Sequence, residues 1–200
     1  MNHANPQTLI NIHEAGLKEF VEKGFQKASL RSIARAAGVT TGAFYGYYDS
    51  KEKLFDKLAG EAAEELKKIF EEPTEYPEGA NKKIIISEFQ KAEVGKMTKL
   101  TKYSFDNQKA ILLLVNGATG TKYENIFHEL TEISTMHTMN LMERIDYYPV
   151  SSEFVHIVIS GMFKSFCELI EHNITRCEAG SAMKILGEFY VAGWTKILGV

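Results

Sequence analysis

One stretch of the chain combines small, hydroxyl-bearing and aromatic side chains at helical spacing. Residues 29–54 read SLRSIARAAGVTTGAFYGYYDSKEKL. The small residues between positions 40 and 46 would let a helix backbone approach another surface closely, and threonine hydroxyls can hydrogen-bond base edges or phosphates. The hydroxyls of Tyr45 and Tyr47 suit phosphate contact at the edge of a groove. The chemistry indicated is recognition of a DNA major groove.

Two basic residues fall in the first turns of predicted helices. Arg31 follows Ser29, a natural N-cap, and Lys51 follows Ser50. Backbone amides and the helix dipole favour a phosphate at such an end, whereas a lysine there is mildly unfavourable for the helix itself. We therefore expect Arg31 and Lys51 to contact phosphates, and Arg35 to be a solvated charge.

Short helices must position these groups. Apolar spacing predicts helices at 7–23, 30–37, 41–47 and 51–71, with Gly24 ending the first and Gly38 turning the chain after the second. Phe44, Tyr48, Leu54 and Phe55 fall on inward faces and are expected to pack in the core. The arrangement is that of a helix-turn-helix.

The rest of the chain also predicts helices. A loop at 73–77 (PTEYP) precedes helical patterns at about 80–103, 106–115, 121–146, 152–174 and 178–198. Thr121 and Glu124 fit a capping box at the start of one of them. Strand signals are few, so the expected fold class is all-α.

Charge and composition narrow the class of protein. Residues 1–60 hold eight Lys/Arg against six Asp/Glu, and residues 61–200 hold fifteen against twenty. Phosphate contacts must therefore be few and well placed, and a dimer would double them. The apolar runs are too short to span a bilayer, no signal-peptide pattern is present, and Cys167 and Cys177 do not form a disulfide framework. We expect a cytoplasmic protein with no membrane partner.

Catalytic and metal-binding patterns are weak. The histidines show no metal-ligand spacing, although Glu168 and His172 could pair along a helix. The stretch at 117–124 (GATGTKYE) lacks the ending of a phosphate-binding loop and is expected to be a turn. No Ser-His-Asp or Cys-His arrangement can be proposed. We expect no metal, no cofactor and no enzymatic activity.

From about residue 12 to residue 58 the chain resembles the TetR family of bacterial transcriptional repressors. The resemblance rests on Ala15-Gly16, Phe20, Lys23-Gly24-Phe25, the segment 28–39, and the TTGAFYGYYDSKEKL run that matches the recognition helix and the start of the next helix. It implies a DNA-contacting set of Ser29, Arg31, Thr40, Thr41, Gly42, Ala43, Tyr45, Tyr47 and Lys51. Gly46 departs from the family, which often has a larger polar or basic residue there.

The last two predicted helices have more apolar circumference than one core would bury. We expect a second subunit to cover the excess, with ordinary internal packing as the alternative. The predicted dimer interface comprises Phe154, Val158, Met162, Leu169, Met183, Leu186, Tyr190, Trp194 and Ile197.

Aromatic, methionine and histidine residues are concentrated at 103–142, which would suit an adaptable apolar cavity. The predicted ligand pocket draws on Phe89, Tyr103, Phe127, Met136, His137, Phe163 and Phe166. For any one of these residues, ordinary core packing is the stronger interpretation.

Together these patterns predict an N-terminal three-helix helix-turn-helix DNA-binding domain at 1–50 and a C-terminal helical ligand-binding and dimerisation domain at 51–200, with 51–71 as the connecting helix. The expected function is that of a homodimeric repressor that binds a palindromic double-stranded operator. A small hydrophobic or amphipathic inducer would release it. Two alternatives stay open: transcriptional activation, and a small-molecule-binding protein or enzyme with a vestigial DNA-binding head.

Overall fold

The computed structural model describes residues 5–172 and 174–199, and within them it contains helices and turns but no strand. The all-α prediction is confirmed. The helices are α1 (Pro6–Lys27), α2 (Leu30–Ala36), α3 (Thr41–Phe44), α4 (Lys51–Glu71), α5 (Lys82–Asp106), α6 (Gln108–Leu112), α7 (Ile126–Arg144), α8 (Ser152–Glu171) and α9 (Arg176–Leu198), and a π-helical turn at Leu113–Gly117 follows α6.

The chain folds into two compact units. The first contains the described residues up to Glu65 together with Asn107–Ile126, and the second contains Leu66–Asp106 and the described residues from Phe127 onwards. The sequence predicts a DNA-binding domain up to residue 50 and a ligand-binding and dimerisation domain after it. This division by function stays a prediction.

The core of the first unit is built around aromatic rings from α1 and α4. Phe20, Phe25 and Phe55 lie with ring centroids 5.2–5.9 Å apart. Phe25 reaches this cluster because Gly24 adopts φ 70° and ψ 160°, which kinks α1. Helical backbone resumes after Gly24 and continues to Lys27. Gly24 therefore breaks the helix as predicted, but the helix does not end there.

Three boundaries differ from the sequence prediction. α3 ends at Phe44, since residues 45–47 form a turn, and the predicted helix at 106–115 is divided into α6 and the π-helical turn. The capping box at Thr121 and Glu124 is wrong: the Glu124 carboxylate accepts from the Gly120 N–H at 2.9 Å, and α7 begins only at Ile126. A capping box does form at Thr175 and Glu178, at the start of α9.

Aromatic pairs also organise the second unit. Phe70 of α4 meets Phe163 of α8 edge to face at 5.0 Å, and Phe127 of α7 lies 6.2 Å from Phe166 of α8. These rings join three helices into one core.

Candidate functional site

α3 exposes a face of small residues over a buried aromatic anchor. Phe44 is fully buried, whereas Gly42, Ala43 and Tyr45 are exposed. Thr40 caps the helix by accepting the Ala43 N–H at 3.0 Å. The helix is thus held from below and leaves its outer face free of bulky side chains.

The start of α2 is held by a carboxylate. Glu19 accepts from the Ser29 N–H at 3.0 Å and from the Lys23 ammonium at 2.9 Å. Burial raises the pKa of Glu19, but the hydrogen bonds from Lys23 and Ser29 outweigh it and lower the pKa overall. Ser29 itself caps α2 through Ser32, while Arg31 is exposed.

The Lys51 side chain has internal partners. Its ammonium donates to the carbonyls of Phe25 at 2.7 Å, Ala28 at 3.2 Å and Gln26 at 3.5 Å, and it lies 4.3 Å from the Phe25 ring centroid. Phe25 and Gln26 lie in the last turn of α1 and Ala28 is its C-cap, at the end of a helix where carbonyls lack their regular intrahelical donors. The Lys51 ammonium, which was predicted to contact a phosphate, is therefore hydrogen-bonded within the first unit.

The tyrosines next to α3 have different surroundings. Tyr45 is 51 % exposed. The Tyr47 hydroxyl accepts from the Asn5 N–H at 3.1 Å. The Tyr48 hydroxyl is hydrogen-bonded to Nε2 of His13, and burial, followed by the charge of Lys57, lowers the pKa of that imidazole.

Gly46, the departure from the family pattern, lies in a tight turn. A Cβ atom at this position would lie 3.2 Å from the carbonyl oxygen of Ala43. A larger residue would need a small backbone adjustment, so the glycine fits the local geometry.

The second unit contains a cavity of about 710 Å³. It lies along α5 and α9, and residues of α7 and α8 complete its wall: Phe89, Gln90, Glu93, Val94, Met97, Thr98, Thr101, Lys102, Phe105, Ser134, Thr138, Ile159, Met162, Arg176, Gly180, Met183, Lys184, Gly187, Glu188, Tyr190, Val191, Trp194 and Leu198.

Of the residues predicted to form a ligand pocket, Phe89 lines this cavity. Phe163 and Phe166 are buried, the partly buried Phe127 packs against Phe166, and Met136 is exposed. Tyr103 and His137 are partly buried and are not part of the cavity wall. The wall instead draws heavily on α9, which the pocket prediction had not included.

The predicted dimer-interface residues divide between the cavity and the surface. Met162, Met183, Tyr190 and Trp194 line the cavity. Phe154 is exposed, and the remaining predicted residues, Val158, Leu169, Leu186 and Ile197, are partly exposed.

Three strongly exposed apolar side chains were missed by the interface prediction. Ile157 is 66 % exposed on α8, and Ile185 and Phe189 are 67 % and 69 % exposed on α9. Ile185 and Phe189 are one turn apart and therefore share a face. That spacing was available in the sequence as a signal.

A buried polar cluster adjoins the cavity. The Lys96 ammonium, 3 % exposed, contacts Glu93 at 2.9 Å and Nδ1 of His137 at 3.1 Å. Burial raises the pKa of Glu93, and burial followed by the charge of Lys96 lowers the pKa of His137. The neighbouring Ser134 hydroxyl is buried and has no hydrogen-bond partner among the described residues.

The structure brings together one set of side chains able to hold a metal ion that spacing did not suggest. Ligand atoms of His128, Glu132 and His156 lie within 4.8 Å of one another, on α7 and α8. Nδ1 of His156 lies 2.8 Å from a carboxylate oxygen of Glu132. The predicted pair of Glu168 and His172 lies at 3.6 Å.

No helix in the described part of the chain is both long enough and apolar enough to cross a bilayer.

The N-terminal helices match a known family. Residues 12–58 fit the model described as bacterial regulatory proteins, tetR family. The HTH-type transcriptional repressor KstR2 of Rhodococcus jostii (strain RHA1) is 41 % identical over 39 residues, which are 20 % of this chain and 19 % of that protein. The chain thus spans about a fifth of the length of this curated relative.

Solved structures share the fold over most of the chain. SCO3833, a TetR-family member from Streptomyces coelicolor A3, is 18 % identical with a TM-score of 0.65, covering 91 % of this chain and 90 % of that chain. The TetR-family regulator PfmR from Thermus thermophilus is 17 % identical with a TM-score of 0.63, covering 90 % of this chain and 93 % of that chain.

The structure is thus all-helical with an N-terminal helix-turn-helix. Residues 12–58 are similar to the tetR family of bacterial regulatory proteins, and most of the chain shares the fold of solved structures from that family.

Proposed function

We propose that the protein is a transcriptional repressor that binds a palindromic operator as a homodimer and is released by a small amphipathic ligand. The observation that carries the proposal is the exposed Gly42–Ala43 surface of α3, with Phe44 buried beneath it. A backbone so little covered can come close to the floor of a major groove.

Within this proposal the residues divide by role. Thr41, Gly42 and Ala43 meet base edges, with Thr40 both capping α3 and facing the DNA. Arg31, Tyr45 and Tyr47 contact phosphates, which sets the register on the duplex but carries no sequence information. Ser29 and Lys51 act from inside the unit, since their polar groups meet Glu19, Ser32 and the end of α1. We thus assign Ser29 and Lys51 a positioning role.

The dimer is supported by apolar surface on the last two helices. Phe154, Ile157, Ile185 and Phe189 are exposed, and apolar side chains of this size favour burial by a partner. A two-fold dimer presents two copies of α3, so the half-sites should lie about one helical turn of DNA, or a multiple, apart.

Ligand release is supported by the cavity in the second unit. Its volume of about 710 Å³ falls in the range of small-molecule sites. A ligand that binds better to one arrangement of the subunits shifts the dimer towards it, and such coupling is typically about 1–3 kcal/mol. That free energy suffices to release an operator held by few contacts.

The test is selection of bound sequences from a random DNA library, followed by a gel-shift assay. A palindromic consensus is expected for the parent protein. Gly42→Leu should abolish binding while leaving the fold intact, because among the described residues only the Thr40 hydroxyl, at 3.9 Å, comes within 4 Å of an added Cβ.

Gly95→Leu is the matched control, since it also adds bulk at an unobstructed glycine but lies on α5. It should bind DNA like the parent. Undiminished DNA binding by the Gly42→Leu variant would refute the role given to α3. A reporter gene placed behind the selected operator distinguishes repression from activation.

A further inference from the structure

The cavity runs lengthwise between two antiparallel helices. Gln90 of α5 donates to the Thr195 hydroxyl of α9 at 2.9 Å, and Arg176 of α9 donates to Asp106 of α5 at 2.6 Å. These two contacts are 16 residues apart on α5, or roughly 24 Å at 1.5 Å per residue. Lining residues recur along that whole length, from Phe89 to Phe105. The cavity is therefore an elongated slot.

One end of the slot is apolar. Phe89, Trp194 and Leu198 line it near the Gln90–Thr195 contact, and Val191 lies one turn before Trp194 on α9. Apart from Glu93, none of the described residues that line this end carries a formal charge. This end can accept a hydrocarbon chain, but it offers no partner to an ion.

The other end is cationic. Lys102, Arg176 and Lys184 line the slot near the Arg176–Asp106 contact, and all three are exposed. Asp106 balances Arg176, but neither Lys102 nor Lys184 has an ion-pair partner in the described part of the chain. Of the acidic lining residues, Glu93 is paired with Lys96, and Glu188 lies one helical turn from Lys184 on α9. The end near Arg176 thus holds two lysines that form no ion pair within the described residues.

Glycines provide the width of the slot. Gly180 and Gly187 line it seven residues apart on α9, and an added Cβ at either position would meet no atom of the described residues within 4 Å. Larger residues there would project into the cavity.

We propose that the slot binds a long-chain amphipathic anion. Its carboxylate or phosphate head lies between Lys102 and Lys184, and its hydrocarbon chain extends to Trp194 and Leu198. The inference rests on the proposed ligand-binding role of this cavity and specifies the class of ligand.

The chain contains an intrinsic fluorophore that can report ligand binding. Trp194 is the single tryptophan of the sequence and lines the apolar end, so its fluorescence should respond when a chain fills the slot. Palmitate, hexadecyl phosphate, hexadecanol and laurate are titrated against the full chain. The two sixteen-carbon anions should bind at least tenfold more tightly than laurate, because each buried methylene improves affinity roughly fourfold.

The relative affinities of ligands with charged and uncharged head groups test whether the cationic end binds an anion. Palmitate or hexadecyl phosphate should bind more tightly than hexadecanol, and the tighter anion identifies the head group. The double variant Lys102→Gln, Lys184→Gln should weaken binding of that anion roughly three- to tenfold and leave hexadecanol unchanged, as expected for partly exposed ion pairs. Lys164→Gln removes an exposed lysine of α8 outside the slot and is the control.

A cavity-filling variant tests the location. Gly187→Leu should abolish the fluorescence response, whereas Gly95→Leu should preserve it. Hexadecanol binding as tightly as the anions, or a response that survives Gly187→Leu, would overturn the proposal. A protein that binds the anion but no operator would refute the proposed function alone, because the fluorescence titration contains no DNA.

Discussion

Lys51 of α4 donates to the Phe25 carbonyl of α1 at 2.7 Å, across 26 residues of sequence. With the further bonds to Ala28 and Gln26, the ammonium serves as a cap for the C-terminal turn of α1. The start of α4, the helix that follows α3, is thereby tied to the end of α1. A cation at the negative end of a helix dipole is also favourable.

Replacing Lys51 by methionine should destabilise the first unit by about 1–3 kcal/mol, because carbonyls at the end of α1 lose a charged donor. Urea unfolding followed by circular dichroism measures this loss. The salt dependence of operator binding should keep its slope. If Lys51 met a phosphate instead, the slope would fall by about 0.9 for each subunit's contact. Lys53→Met, an exposed neighbour on α4, should change stability by less than about 0.5 kcal/mol.

Replacing Tyr45 by phenylalanine should weaken binding to operator and random DNA alike, by about tenfold, because a hydroxyl bond to phosphate is lost. Its fold should be unaffected, since this side chain is half exposed. Tyr48→Phe is the matched control: it breaks the bond to His13 and should cost stability instead. Gel shifts on both duplexes, with thermal unfolding of both variants, separate the two effects. A Tyr45→Phe protein with unchanged affinity would remove Tyr45 from the interface.

Acidification should destabilise the first unit through His13. Burial and the charge of Lys57 hold its pKa below the ordinary value of 6.5, so the unfolded chain takes up a proton before the folded one. The stabilising contribution is complete above pH 6.5 and is lost as the pH falls through the lower folded value. His13→Gln should flatten the stability profile in that window. His172→Gln, an exposed histidine, should reproduce the parent profile.

Ser134→Ala should leave the free energy of unfolding unchanged or raise it by up to about 1 kcal/mol, because the buried hydroxyl has no partner to lose among the described residues. Thr138→Val is the contrasting variant, since its hydroxyl donates to the Ser134 carbonyl at 2.9 Å. It should be the less stable of the two in chemical denaturation. A marked destabilisation by Ser134→Ala would indicate a bridging water in the cavity wall.

Replacing Phe189 by glutamate should convert the proposed dimer to a monomer at micromolar concentration, because a charge would then enter the apolar contact proposed between the exposed faces of α8 and α9. Sedimentation equilibrium gives the mass directly. Glu188→Gln, on the neighbouring cavity side, should stay dimeric. Unaltered association of Phe189→Glu would move the interface elsewhere.

Much of the first unit could be predicted because its signals are local. Ser29 and Thr40 cap helices through backbone groups three residues away, and Gly38 has the positive φ of a turn. Phe44 and Phe55 are buried at the positions that helical spacing assigned to the interior. The predicted helix boundaries were wrong where residues assigned to a helix form a turn instead, as at residues 45–47.

By itself the sequence determined the helical class, the helix-turn-helix segment and the similarity of that segment to the tetR family. The side chains that create these features act on neighbours within a turn of helix. Only the tertiary structure decided what Lys51 caps, which side of α9 lines the slot and which side carries Phe189. α9 is apolar around much of its circumference, so periodicity alone does not distinguish a cavity wall from a dimer face. That choice depends on which helices pack beside it, and the partners of α9 lie as far away in the chain as α5.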